Sequence, residues 1–257
     1  MGRSEREREH ERERAGAGIA IRLFVGAALA AGAPVALDGP QAHYLRNVMR
    51  RTAGDRIRLF NGRDGEWTGT IESLSSGRAV VRPETMLKAQ MPAPDLWLLF
   101  APLKATPTRF LVEKATELGV GVLRPVICRR SQTRRVNAGR LRAHAIEAAE
   151  QCGRLDVPRV EPLSSLDDAL AAWPPGRRLL VCDPDARQTA ADVLAGGGDS
   201  PWAILIGPEG GFAPEERRRL AAHPAAVPAR LGPRLLRAET AATAALVCWQ
   251  ALAGDWR

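Results

Sequence analysis

The sequence predicts an α/β protein built on a parallel sheet, preceded by a smaller β-rich domain, and three observations predict it. From Leu96 onward, apolar strand-like runs alternate with helix-forming stretches. Two late runs, 202–206 and the weaker 226–231, each open into a glycine-bearing loop and then a helix-forming stretch. Between Ile19 and Lys88, short β-type runs are instead separated by turn residues.

Residues 3–14 hold five Arg and five Glu and no apolar residue, and Ala15-Gly-Ala-Gly18 follows them. Residues 1–18 are therefore expected to form a disordered charged extension. The run lacks the apolar core of a signal peptide and is too acidic for a transit peptide. In residues 19–88, Arg56-Ile-Arg-Leu-Phe60 alternates, Asn61-Gly62 marks a hairpin turn, and Glu66-Trp-Thr-Gly-Thr-Ile71 alternates again. Gly77 then precedes Ala79-Val-Val81, and this spacing suits a small β-barrel. Residues 42–51 read as a helix with Leu45, Val48 and Met49 on one side. Two prolines in Ala89-Gln-Met-Pro-Ala-Pro94 make residues 89–95 a linker.

The second domain is predicted over 96–257. Strands are expected at 96–101, 122–128 and 179–182, and helices at 108–118, stopped by Gly119, and 138–151, ended near Gly153. In a parallel sheet, ligands bind at the carboxyl ends of strands, where Asp183-Pro184, the 207–211 loop and the 232–237 loop should converge. The final helix, 240–252, is Ala-rich with few charges, so it must be buried in a core or against a partner.

The wording of the two glycine loops is specific. They read Ile206-Gly-Pro-Glu-Gly-Gly-Phe212 and Leu231-Gly-Pro-Arg-Leu-Leu-Arg-Ala-Glu-Thr240. Neither is a dinucleotide-binding G-x-G-x-x-G, and neither carries the Gly-Lys-Ser/Thr of a Walker loop. Glycines at such positions let backbone N–H and C=O groups approach a ligand closely.

Composition adds a direction. The net charge of +8 and pI near 10.3 point to a polyanionic partner. Because Lys88, Lys104 and Lys114 are the only lysines, arginine richness itself says little, and the excess over Asp and Glu is the better clue. That excess splits evenly, +4 in residues 19–90 and +4 in 91–257, so the smaller domain is the more densely basic. Cys128, Cys152, Cys182 and Cys248 are scattered without a C-x-x-C, which predicts free thiols in a reducing cytoplasm and no metal site. No stretch approaches the roughly 18 apolar residues of a membrane span.

Taken together, the two loops resemble those of the SPOUT methyltransferases. The closest likeness is to the family that methylates a uridine at N3 in 16S ribosomal RNA, ribosomal RNA small-subunit methyltransferase E. Further matches lie upstream in the same order: Glu113-Lys-Ala-Thr-Glu-Leu-Gly-Val120, Glu150-Gln-Cys-Gly-Arg154 with Val157-Pro158, and His43 through Arg50 with Gly54-Asp55. The resemblance runs from about residue 20 to the C-terminus. It implies a PUA-like RNA-binding barrel over 19–88 and a SPOUT domain over 96–257 with a C-terminal trefoil knot. It also implies S-adenosylmethionine as methyl donor, 16S rRNA or the small ribosomal subunit as partner, a cytoplasmic location and a homodimer formed near the last helix. Such a dimer would cover Leu246, Val247, Trp249 or Leu252, which a lone helix would expose. Two departures stand out. A usual His pair is His43-Tyr44 here, and Lys104-Ala-Thr-Pro107 lacks an arginine for which Arg109 offers a substitute.

Carried over residue by residue, the resemblance implies cofactor contacts at Gly207, Gly210, Leu231, Gly232, Leu236 and Arg237, with Ile206 and Leu235 completing an apolar slot for adenine. Methyl transfer is an in-line displacement, so holding the nucleophile against the methyl should supply most of the rate. Uridine N3 carries a proton, and the site needs a base or cations that stabilise the uridine anion. Arg154, Arg237 and Glu209 are the expected catalytic groups. Glu239 is as well explained by the start of the last helix, or by a salt bridge with Arg237. RNA contacts are expected at His43, Arg46, Arg50, Arg51 and Lys104, with Arg129, Arg130, Arg134 and Arg135 as further phosphate contacts. Methylation of a ribose 2′-hydroxyl and a non-catalytic assembly role are the competing readings.

Overall fold

In the computed structural model, residues 21–196 and 200–256 are described, and the chain divides into two compact units. One comprises residues up to Pro92 with Ala149–Asp156, and the other Ala93–Ala148 with Val157–Arg257. The charged run of residues 1–18 lies outside the described residues.

The first unit contains β1 (Arg22–Phe24), β2 (Val35–Leu37), α1 (Gly39–His43), a π-helical turn (Tyr44–Val48), β3 (Arg56–Phe60), β4 (Glu66–Ser75) and β5 (Arg78–Lys88). Its five strands pair in the order β1-β3-β4-β5-β2. The sheet is mixed, since β1 lies parallel to β3 while the other pairs are antiparallel. Leu23, Leu37, Leu45, Ile57, Leu59 and Ile71 fill its core. The connection after β3 spans five residues, Phe60 pairing with Glu66, so Asn61-Gly62 opens a loop longer than a two-residue hairpin. The Asn61 side chain accepts the N–H groups of Arg63 and Asp64 at 3.0 and 2.9 Å, and Gly62 takes φ +80°.

The helix expected over 42–51 is instead α1 followed by the π-turn. A capping box starts it: Asp38 accepts the Gln41 N–H at 2.8 Å, and Gln41 returns an acceptor to the Asp38 N–H at 3.3 Å. The wider π-turn changes which side chains face inward. Leu45 is fully buried, but Val48 is 59% exposed, contrary to the expected apolar side. The chain then leaves through Arg50 at φ +52°, with the Arg51 N–H donating to the Leu45 carbonyl at 2.9 Å.

Ala149–Asp156 joins this unit through Arg22. Its guanidinium donates to the carbonyls of Ala149, Glu150 and Arg154 at 2.7, 2.9 and 2.9 Å. The first two are orphan acceptors of a helix end and the third lies just beyond it, and Arg22 satisfies them while paired with the buried Glu66.

The second unit contains β6 (Leu96–Phe100), α2 (Ala105–Glu117), β7 (Val122–Ile127), α3 (Ala138–Cys152, whose last residues belong to the first unit), β8 (Arg159–Val160), β9 (Ser164–Ser165), α4 (Leu166–Ala171), β10 (Arg178–Cys182), α5 (Ala190–Ala195), β11 (Trp202–Ile206), α6 (Pro214–Ala222), β12 (Ala226–Ala229) and α7 (Ala238–Leu252). The strand order is β12-β10-β11-β6-β7-β8, with β9 also on β7, and every pair is parallel. Alternate residues divide between two cores: Leu96, Leu98 and Phe100 face one, while Leu99 and Ala101 face the other. Burial on both faces explains why these strands read as continuous apolar runs.

α7 packs on α2, α5 and β11. Leu246 and Trp249 are buried within this chain and Leu252 is half-buried, leaving Val247 exposed at 38%. Much of the apolar character of the helix is thus absorbed inside this chain. Among the described residues no helix is long and apolar enough to cross a membrane, and no cluster of His, Cys, Asp and Glu could hold a metal ion.

Candidate active site

Register builds the site. Cys182 at the end of β10 lies opposite Ile206 at the end of β11 and Ala229 at the end of β12. The three following loops therefore emerge side by side at the carboxyl edge of the sheet. With the start of α2 they enclose a cleft of about 650 Å³, lined among others by Lys104, Cys182, Asp183, Gly207, Leu231 and Arg237. That volume lies within the roughly 300–1,000 Å³ of small-molecule sites.

The loop after β11 turns tightly. The Gly211 N–H donates to the Pro208 carbonyl at 2.8 Å, and Gly211 takes φ +69°. A Cβ on Gly207 would stand 2.9–3.2 Å from the ring of buried Phe212, so only glycine lets that ring close beneath the loop. Glu209 lines the cleft and is exposed, with no hydrogen bond or ion pair among the described residues. The loop after β12 contributes Leu231, Gly232, Arg234, Leu235, Leu236 and Arg237. Gly232 has φ +140°, and a Cβ there would meet nothing within 4 Å. Leu235 is 84% exposed at the mouth, so ordinary core packing does not explain it.

Arg237 is the N-cap residue of α7, yet its side chain makes no capping hydrogen bond and no ion pair with Glu239. It is free to serve a ligand. Asp183 is held differently. Arg217, from α6, reaches it at 3.4 Å and Asp185 at 2.7 Å, tying the β10 loop to the helix that follows the glycine loop. The hydrogen bond that Arg217 donates to Asp185, and then the two carboxylate charges, raise the Arg217 pKa. The Cys182 thiol is pushed up to about 12 by burial, so it stays neutral and is no nucleophile near neutral pH.

All the expected cofactor residues except Gly210 line this cleft, together with Glu209. Gly210 turns its Cα toward the stem of Arg130, 3.3 Å from where a Cβ would lie. Lys104, expected at an RNA contact, is on the cleft wall. Arg154 belongs to the first unit. Its guanidinium is bound by Asp156 at 2.7 and 3.0 Å and is 10% exposed, while its carbonyl serves Arg22. The residue that the motif singled out is thus held in an ion pair within the first unit. His43, Arg46, Arg50 and Arg51 sit on or just after α1 in the first unit. Sequence reasoning missed Cys182, Phe212 and Arg217 as cleft residues. Nothing separates Arg217 from its neighbours Arg218 and Arg219 before the fold is known.

The cleft fits S-adenosylmethionine. Glycine backbone free of Cβ atoms, apolar Ile206, Leu231 and Leu236 and an unengaged carboxylate answer an adenine ring and a cationic sulfonium.

Comparison with known proteins agrees. A family model described as an RNA methyltransferase domain matches residues 90–250, and one described as an RNA methyltransferase PUA domain matches residues 37–84. The ribosomal RNA small subunit methyltransferase E of Rickettsia conorii is 32% identical over 88% of this chain and 93% of its own length. The chain belongs to that methyltransferase E family.

Another member of the family, from Neisseria gonorrhoeae, was solved bound to S-adenosyl methionine. It superimposes with a TM-score of 0.81 at 28% identity, covering 92% of this chain and 99% of that one. A Legionella pneumophila methyltransferase with bound SAM gives a TM-score of 0.83 at 31% identity, covering 91% of this chain and 98% of the other. The family's parallel α/β sheet and PUA-like unit with a small mixed sheet are the two units described above.

Proposed function

We propose that this protein methylates N3 of a uridine in 16S ribosomal RNA, using S-adenosylmethionine bound in the cleft at the ends of β10, β11 and β12. The observation that carries the reading is the pairing of an unengaged Glu209 and an unengaged Arg237 on the wall of a glycine-lined cleft. The bound cofactor supplies a methyl group on a cationic sulfur. Arg237, held at the amino end of α7 where the helix dipole is positive, stabilises the anion that forms as N3 loses its proton. Glu209 accepts that proton or relays it to water. Lys104 on the same wall adds a second cation for the uridine oxygens.

RNA is held by the first unit. Of its arginines, Arg22, Arg56, Arg58, Arg82 and Arg154 face carboxylates, whereas Arg46, Arg50 and Arg51 have no such partner among the described residues. Arg46 and Arg50 are exposed, and His43 is tied to Asn47 at 2.8 Å. Unneutralised cations concentrated on one turn suit a phosphate backbone. Replacing Arg50 and Arg51 with alanine should weaken RNA binding and flatten its salt dependence by about one unit per lost phosphate contact, leaving cofactor affinity unchanged. An unchanged salt slope in a titration series would remove these residues from the interface.

The same reading includes the trefoil knot of the SPOUT fold, a cytoplasmic location and a homodimer. Exposed Val247 on α7 and Leu235 at the cleft mouth are the apolar positions a second copy would cover. Sedimentation should give a dimer, and a monomer at every concentration would contradict it. The reaction itself is tested in a deletion strain. Its 16S rRNA should lack N3-methyluridine by nucleoside mass spectrometry and regain it on complementation. Loss of a ribose-methylated nucleoside instead would favour 2′-O chemistry.

A further inference from the structure

The basic segment after β7 reads as a phosphate contact, yet its first two residues are engaged with the glycine loop. Arg130 Nη1 donates to the Gly210 carbonyl at 2.9 Å, and the Arg130 stem lies against the Gly210 Cα. The Arg129 N–H donates to Glu216 Oε1 at 2.8 Å, and the other oxygen of that carboxylate accepts the Ala213 N–H at 2.8 Å. Glu216 is 4% exposed. Ser131 Oγ closes the turn by accepting the Cys128 N–H at 3.0 Å. The tip of the glycine loop at Gly210 and its exit at Ala213 are thus fastened to one rigid turn.

A segment with glycines at 207, 210 and 211 has many conformations to lose on ordering. Fastening it beforehand removes part of that cost from ligand binding. Arg130 makes this contact from an exposed position, at the strength of a charge-assisted hydrogen bond. Gly210, which does not line the cleft, gains a role: lacking a Cβ, it lets the arginine stem lie across it.

We propose that Arg130 is a positioning residue for the methyl-donor loop, holding the Gly210 carbonyl so that the loop is shaped for the cofactor before RNA arrives. The proposal rests on reading the cleft as the S-adenosylmethionine site. In the full-length protein without RNA, Arg130→Ala should weaken S-adenosylmethionine binding about tenfold by calorimetry, the loss expected for one charge-assisted hydrogen bond. Its thermal midpoint should stay close to wild type, because the side chain is exposed. Amides 207–213 of the ligand-free variant should exchange faster with deuterium, and Arg130→Lys should restore part of the affinity. If Arg130 is only a phosphate contact, RNA affinity will fall while RNA-free cofactor affinity and loop exchange remain at wild type, and the proposal is overturned. If wild-type protein binds no S-adenosylmethionine, the functional reading itself fails. The exchange experiment, made without ligand, still judges whether Arg130 orders the loop.

Discussion

Gly232→Val will reduce S-adenosylmethionine affinity by roughly a hundredfold or more, through two additive costs. The residue sits at φ +140°, outside the conformations open to a β-branched side chain, so either the backbone is strained or the loop moves. Backbone strain of this kind costs on the order of 1–3 kcal/mol, a factor of about 5 to 150 in affinity. The added atoms would also occupy open space at the cleft wall, since nothing in the protein lies within 4 Å of that Cβ position. Gly207→Val should be comparably damaging for another reason, because its Cβ would collide with the buried Phe212 ring. Calorimetry with parallel thermal melts checks both. A folded Gly232→Val protein with wild-type affinity would show that this loop does not hold the cofactor.

Arg237→Ala should lower the single-turnover methylation rate by about a hundredfold or more at saturating cofactor and RNA, the cost of removing one well-aimed donor to developing charge. The substitution is clean on structural grounds. The Arg237 side chain makes no capping bond to α7 and no ion pair, so stability should hardly change. A loss confined to the chemical step, with RNA affinity retained, distinguishes transition-state stabilisation from uniform binding. A near-wild-type rate would shift the catalytic assignment to Glu209 and Lys104.

Much of the sheet is legible in the chain because its strands are short apolar runs that end where glycine or proline begins. The 202–206 run gives β11, and the weaker 226–231 run gives β12, which ends at Ala229. The cofactor loops were legible for the same reason, as strand-to-helix turns with glycines at fixed places. Other features depend on contacts that no local pattern records. Arg154 stands out in its motif, but its contacts do not: its carbonyl is held by Arg22, 132 positions earlier, and its guanidinium by Asp156. α7 reads as buried in a core or against a partner because it is nearly chargeless, and only the fold shows that α2, α5 and β11 pack on it. Gly210 and Gly207 look equivalent in the motif, and only the turn decides that one faces the cleft and the other Arg130. The π-turn rotated Val48 outward against a helical reading. Two six-residue helices, α4 and α5, are not legible in the sequence although Ser165 and Thr189 cap them through the Asp168 and Asp192 N–H groups. At that length the apolar period is too brief to register.

The most direct test incubates purified protein with S-adenosylmethionine and small ribosomal subunits from the deletion strain, then digests the 16S rRNA for nucleoside mass spectrometry. N3-methyluridine should appear with wild-type protein and be strongly reduced with Arg237→Ala. Transfer to a ribose 2′-hydroxyl, or no methylated nucleoside from protein that demonstrably binds both cofactor and RNA, would contradict the account.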